Sequence, residues 1–70
     1  MRNTKALYDS LLAAGYSGAL NDMLKAFIVS QGYTGALPDA LYAWLGAQGY
    51  TGTMPERMYQ WDEAGFTGVV

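Results

Sequence analysis

Gly32-Tyr33-Thr34-Gly35 decides the fold, because the chain writes this four-residue phrase four times. It recurs as Gly15-Tyr16-Ser17-Gly18, Gly49-Tyr50-Thr51-Gly52 and Gly65-Phe66-Thr67-Gly68, with the first glycines 17, 17 and 16 residues apart. Self-similarity at a fixed period marks a repeat protein, in which each unit is one supersecondary element that cannot bury its apolar side alone. Alignment on the glycines divides a single domain, 1–70, into units 4–20, 21–37, 38–54 and 55–70. The fourth unit and the chain end together, so a whole four-unit object is expected.

Each unit reads as one helix and one turn. Pro38 and Pro55 suit the first helical position, where the missing amide has no intrahelical partner, and Thr4 and Asn21 stand at the equivalent places as capping residues. Asp22, Asp39 and Glu56 follow directly, placing negative charge on the positive helix end for about 0.3–1 kcal/mol each. Gly15, Gly32, Gly49 and Gly65 sit where a helix closes through a left-handed residue. The aromatic that follows, Tyr16, Tyr33, Tyr50 or Phe66, is placed to fold back on Leu11, Ile28, Leu45 or Trp61 respectively. The hydroxyl residue and second glycine complete a compact linker. Helices of about 10–11 residues are too short to persist alone in water, so they must pack on one another.

Leu7, Leu24, Leu41 and Met58 share one repeat position. Ser10, Phe27, Trp44 and Trp61 lie three residues further on, and Leu11, Ile28, Leu45 and Asp62 four further on. Spacings of three and four fall on one helix face, so the core is expected to be Leu7, Leu11, Leu24, Phe27, Ile28, Leu41, Trp44, Leu45, Met58 and Trp61. Ser10, Asp62 and Glu63 weaken the stripe at the ends, as terminal repeats commonly do. Tyr8, Lys25, Tyr42 and Tyr59 lie about 100° off it. The lysine among them predicts a partly wet edge, with Tyr8, Tyr42 and Tyr59 as candidate protein-binding residues. The fold class is therefore all-α: four short helices from 17-residue helix-turn repeats, in a small bundle or a short right-angled solenoid.

Composition narrows the function. Seventy residues with no cysteine and no histidine exclude disulfide staples and thiolate or imidazole zinc sites, and so small a domain buries only roughly 60% of its unfolded surface. Charged residues are 14% of the chain, about half the usual share, while aromatics are also 14%. That balance favours self-association or a permanent partner. The formal charge is −2, and Arg2, Lys5, Lys25 and Arg57 are scattered, which argues against nucleic-acid binding. The apolar runs are short, Ala26 to Val29 among them and Ala40 to Leu45 the longest, where a membrane span needs about 20 residues. Asp9 and Ser10 interrupt any signal-peptide core, so none is expected.

No constellation carries chemistry. The Gly-x-x-Gly spacing matches the backbone clamp of KH domains only in the glycines, with no adjacent base and no sheet. No glycine pair leads into the Gly-Lys-Ser/Thr of a phosphate loop. Asp22, Asp39 and Glu56 are first-turn residues, and Asp62-Glu63 reads as a solvated pair. Ser10, Ser17 and Ser30 have no histidine to activate them. No enzyme activity, cofactor or metal is expected. The columns Tyr16, Tyr33, Tyr50, Phe66 and Phe27, Trp44, Trp61 read as cap and core, although stacked aromatics also bind sugars and anchor protein interfaces.

Tetratricopeptide repeats have twice this period but different tryptophan, glycine and proline offsets, and choline-binding repeats are β-hairpins. Gly15-Tyr16-Ser17-Gly18-Ala19-Leu20-Asn21-Asp22-Met23-Leu24 and Gly32-Tyr33-Thr34-Gly35-Ala36-Leu37-Pro38-Asp39-Ala40-Leu41 resemble short repeats in small proteins of tailed bacteriophages and prophages, which often lie among virion structural genes. The resemblance covers the chain from Thr4 onward. It implies a non-enzymatic virion structural or accessory protein, made in the bacterial cytoplasm and assembled into the particle. Its partner would be protein, either itself or a larger virion component, rather than nucleic acid or membrane. A carbohydrate- or cell-wall-binding module and a cytoplasmic prophage protein that binds a host protein stand as alternatives. The fourth unit departs from the pattern at Met54-Pro55-Glu56-Arg57-Met58 and in its shortened helix, so its packing is the open structural question.

Overall fold

A computed structural model describes residues 4–69, and Arg2 and Val70 lie outside them. Four helices follow in order: α1 Thr4–Ala13, α2 Leu20–Ser30, α3 Leu37–Ala47 and α4 Met54–Glu63. There is no strand among the described residues.

The last three helices begin one residue before the unit boundaries, which corrects the capping assignment. Ala19, Ala36 and Thr53 are the N-caps, all with extended backbone, and Asn21 lies inside the first turn of α2. Pro38 and Pro55 remain in the first turn, where proline removes no helical hydrogen bond. Leu20, Leu37 and Met54 pack against the core, and this burial accounts for the earlier start. Thr53 and Glu56 close a capping box, with the Thr53 main-chain N–H donating to Glu56 Oε1 at 2.8 Å.

Each helix ends in a Schellman cap. At α2 the Tyr33 N–H donates to Ile28 O at 3.2 Å and the Gly32 N–H to Val29 O at 2.9 Å. Tyr16 repeats the first bond to Leu11, Tyr50 to Leu45 and Phe66 to Trp61. Gly32 and Gly35 have φ of +92° and +101°, so each linker needs two left-handed residues, and only glycine adopts that conformation freely. Phe66, at φ +54°, is the one non-glycine in that region among the described residues.

Successive helices pack pairwise, α1 on α2, α2 on α3 and α3 on α4. The radius of gyration is 11.0 Å, matching the roughly 11 Å of a compact chain of this length; the array therefore curls up instead of extending as a rod. Aromatic rings show how. Phe27 on α2 meets Trp44 edge-on at 5.1 Å between centroids, yet also stacks on Trp61 of α4 at 6.4 Å. Trp44 and Trp61 are 5.2 Å apart. Such pairs contribute about 0.5–1.5 kcal/mol each beyond the area they bury.

Leu7, Leu11, Leu24, Phe27, Ile28, Leu41, Trp44, Leu45, Met58 and Trp61 are all buried, and Met23, Ala40, Phe66 and Val69 join them. Met23 and Ala40 widen the stripe on one side of α2 and α3. Phe66 and Val69 come from the segment after α4, which folds over the tryptophans. Trp61 Nε1 donates to Thr67 O at 2.9 Å, and a Cβ on Gly68 would stand 3.2 Å from the Trp44 ring. The fourth unit thus closes the core with its own tail. Ser10 and Asp62, the polar residues at stripe positions, are half-buried.

Candidate interaction surface

Position 8/25/42/59 of the repeat is exposed in all four helices. Tyr8, Tyr42 and Tyr59 retain 37%, 42% and 45% of their surface, and Leu12 and Val29 retain 44% and 48%. Leu12 stands one turn beyond Tyr8, and Val29 one turn beyond Lys25, so these residues share the same edge of their helices. They are the exposed large apolar side chains among the described residues. The total accessible surface, 3965 Å², does not exceed the roughly 4300 Å² of a folded monomer of this mass. What is unusual is its chemistry, few charges and large apolar side chains, rather than its extent.

The three tyrosines are not equivalent. Tyr42 is built into the fold: its hydroxyl donates to Gly52 O at 3.3 Å, and the Arg57 guanidinium lies 3.8 Å over its ring. Lys25, at the equivalent place, donates to Gly35 O at 3.0 Å. Both side chains thus satisfy the carbonyl of the second glycine in the linker that follows their helix. This qualifies the expectation that Tyr42 serves a partner, because serine at that position would also cost a linker contact. Tyr8, at the equivalent place on α1, carries no such bond to Gly18 among the described residues.

Arg57 ties α4 to α3. Its Nε donates to Gly52 O at 2.9 Å and its Nη1 to Tyr42 O at 3.1 Å, and the guanidinium occupies the space a side chain on Gly46 would fill. Gln60 fastens the same pair of units differently. Its Nε2 donates to Thr51 O at 2.8 Å while its Oε1 accepts from the Thr51 N–H at 3.3 Å. Neither residue stands out in the repeat pattern, because the equivalent positions hold Ala40 and Ala43. Thr53-x-x-Glu56 has the form of a capping box, although Thr53 falls in the third unit and Glu56 in the fourth as the glycines divide the chain.

The cap residues Tyr16, Tyr33 and Tyr50 are half-buried against the core. Tyr16 packs edge-on to Phe27 at 6.2 Å and its hydroxyl pairs with Ser30 Oγ at 3.0 Å. The Tyr50 hydroxyl pairs with Thr67 Oγ1 at 3.2 Å. Glu56 has its carboxyl held below its ordinary pKa, first by the Thr53 main-chain N–H and then by the Thr53 hydroxyl. Asp9 pairs with Lys5 at 3.0 Å on the solvent side of α1. Among the described residues no three His, Cys, Asp or Glu side chains gather to hold a metal, and no helix is long and apolar enough to cross a membrane. No pocket opens among the described residues. Comparison with protein-family models, curated proteins and solved structures gives no match.

Proposed function

We propose that this chain is a non-enzymatic structural or accessory protein of a bacteriophage particle, acting by protein–protein association through the apolar edge of its helices. The observation that carries the association is that edge: Tyr8, Leu12, Val29 and Tyr59 are exposed on a chain only 14% charged. Tyrosine is enriched among the anchors of protein interfaces, whose centres are depleted of charge. The phage assignment draws on the repeat wording alone. A glycan-binding role finds less support, because Trp44 and Trp61 are buried in the core and leave only tyrosines for a sugar to stack on.

Two measurements test the reading. Mass spectrometry of phage particles purified from an induced lysate is expected to find this protein at a fixed copy number. Its absence from particles but abundance in the lysate would shift the role to a host-directed binder. In parallel, the Tyr8→Ser, Leu12→Ser double variant, which alters two exposed residues of α1, is expected to keep the circular dichroism of the parent and lose incorporation. Undiminished incorporation would remove the edge from the interface.

A further inference from the structure

In the third linker Gln60 of the next helix grips both main-chain groups of Thr51, with its amide donating to the carbonyl and its amide oxygen accepting from the N–H. The same linker position is Ser17 in the first unit and Thr34 in the second, and the residue nine further on, where Gln60 would be, is Ala26 or Ala43. Both alanines are exposed, as are Ser17 and Thr34, and among the described residues no group bonds the main-chain N–H or C=O of Ser17 or Thr34. The fold therefore presents one two-point amide receptor filled from within and two copies of it left open. The filled copy states the chemistry of the occupant, a primary carboxamide.

We propose that the open receptors at Ser17 and Thr34 take glutamine side chains of a second copy of this chain. The chain carries the matching groups: Gln31 and Gln48 are exposed, stand at equivalent repeat positions 17 residues apart, and use no side-chain amide in any internal bond. Two carboxamides one repeat apart thus face two receptors one repeat apart, and each engaged receptor adds two hydrogen bonds. A net charge of −2 on 70 residues opposes the approach of two copies only weakly. The receptors adjoin the tyrosine edge, because Lys25 and Tyr42 bond the carbonyls of Gly35 and Gly52 one residue along, but they act through main-chain groups and glutamines that the particle role does not use, so either reading can fail without the other.

The test is a dilution series of the ¹⁵N-labelled protein, from millimolar to micromolar, followed by amide chemical shifts. The Ser17 and Thr34 amides are expected to move with concentration while the Thr51 amide, already held by Gln60, stays still. Ala26→Gln with Ala43→Gln copies the internal solution into both open units. It is expected to fix the Ser17 and Thr34 shifts at their associated values at every concentration and to weaken self-association about a hundredfold, the loss that accompanies four hydrogen bonds. Gln31→Ala with Gln48→Ala is expected to weaken it equally while leaving the Ser17 and Thr34 shifts at their dilute values. Shifts at Ser17 and Thr34 that ignore concentration, or self-association untouched by either pair of substitutions, would overturn the proposal.

Discussion

Gly46→Ala separates two opposing effects whose sizes follow from the structure. Gly46 lies in the last turn of α3, where replacing a helical glycine by alanine stabilises by up to about 1 kcal/mol. Here the new methyl would fall on Arg57 Nη1. A flexible side-chain end could step aside cheaply if it were free, but this one donates to Tyr42 O and lies over the Tyr42 ring. Moving it forfeits a charge-assisted hydrogen bond, discounted for exposure to about 1 kcal/mol, and a cation–π contact of about 0.5–1 kcal/mol. The Nε bond to Gly52 O can survive a rotation of the outer guanidinium. Gly46→Ala is therefore expected to destabilise by about 0.5–1 kcal/mol, despite its better helix propensity. In an Arg57→Met background the clash is gone, and the same substitution should stabilise by up to about 1 kcal/mol. The double-mutant cycle then shows a coupling of roughly 1.5–2 kcal/mol, well above the few tenths expected of independent sites. Urea unfolding followed by circular dichroism supplies the four stabilities, with equal slopes as the check that all four variants unfold alike. Stabilisation by about 1 kcal/mol with Arg57 present would refute the reasoning, since it would mean that Arg57 is not held against α3.

Trp61→Ala removes the ring shared by Phe27, Trp44 and Phe66, at an expected cost of about 3–5 kcal/mol. A domain of this size has roughly 4–10 kcal/mol to lose, so thermal melting should show the cooperative transition strongly lowered or gone. A transition within about 1 kcal/mol of the parent would contradict the central place given to Trp61. The Glu56 carboxyl has its pKa lowered by the capping box, so the folded state binds this proton less readily than the unfolded chain. Its contribution is present above the ordinary carboxylate pKa and is lost as pH falls through the lowered value. Glu56→Gln, which keeps an acceptor oxygen, should flatten that acid limb of the stability profile measured by urea unfolding. An unchanged limb would place its origin elsewhere.

Much of the architecture was legible because two kinds of residue mark it unambiguously. Glycines that must be left-handed fix the helix ends, and the aromatic after each one fixes the direction in which the chain folds back. Between them the three-and-four spacing fixes the buried face. The helix starts were less legible: Leu20, Leu37 and Met54 are drawn into the first turn by burial, and burial on a neighbouring helix leaves no local signature. The tyrosine edge shows the same limit. Periodicity places Tyr8, Tyr42 and Tyr59 on equivalent edges, but it does not reveal that Arg57 lies over one of them or that Leu12 and Val29 extend the apolar surface.

The interactions that escaped the sequence have a common cause. Repeat alignment weighs what the units share, whereas α4 is fastened by what it does not share. Arg57 replaces an alanine and reaches Tyr42 and Gly52, Gln60 replaces an alanine and reaches Thr51, and Thr53 with Glu56 caps a helix whose counterparts begin behind Ala19 and Ala36. The shortened helix follows the same logic. With one residue missing after Trp61, that side chain takes both the core position held by Trp44 in the previous unit and the cap position held there by Leu45. Phe66 accordingly bonds its N–H to Trp61 O and packs its ring edge-on to the Trp61 indole at 5.0 Å. An internal unit must offer a face to the next one. The fourth unit turns its tail inward over the tryptophans, and its polar exceptions bind backward onto the third.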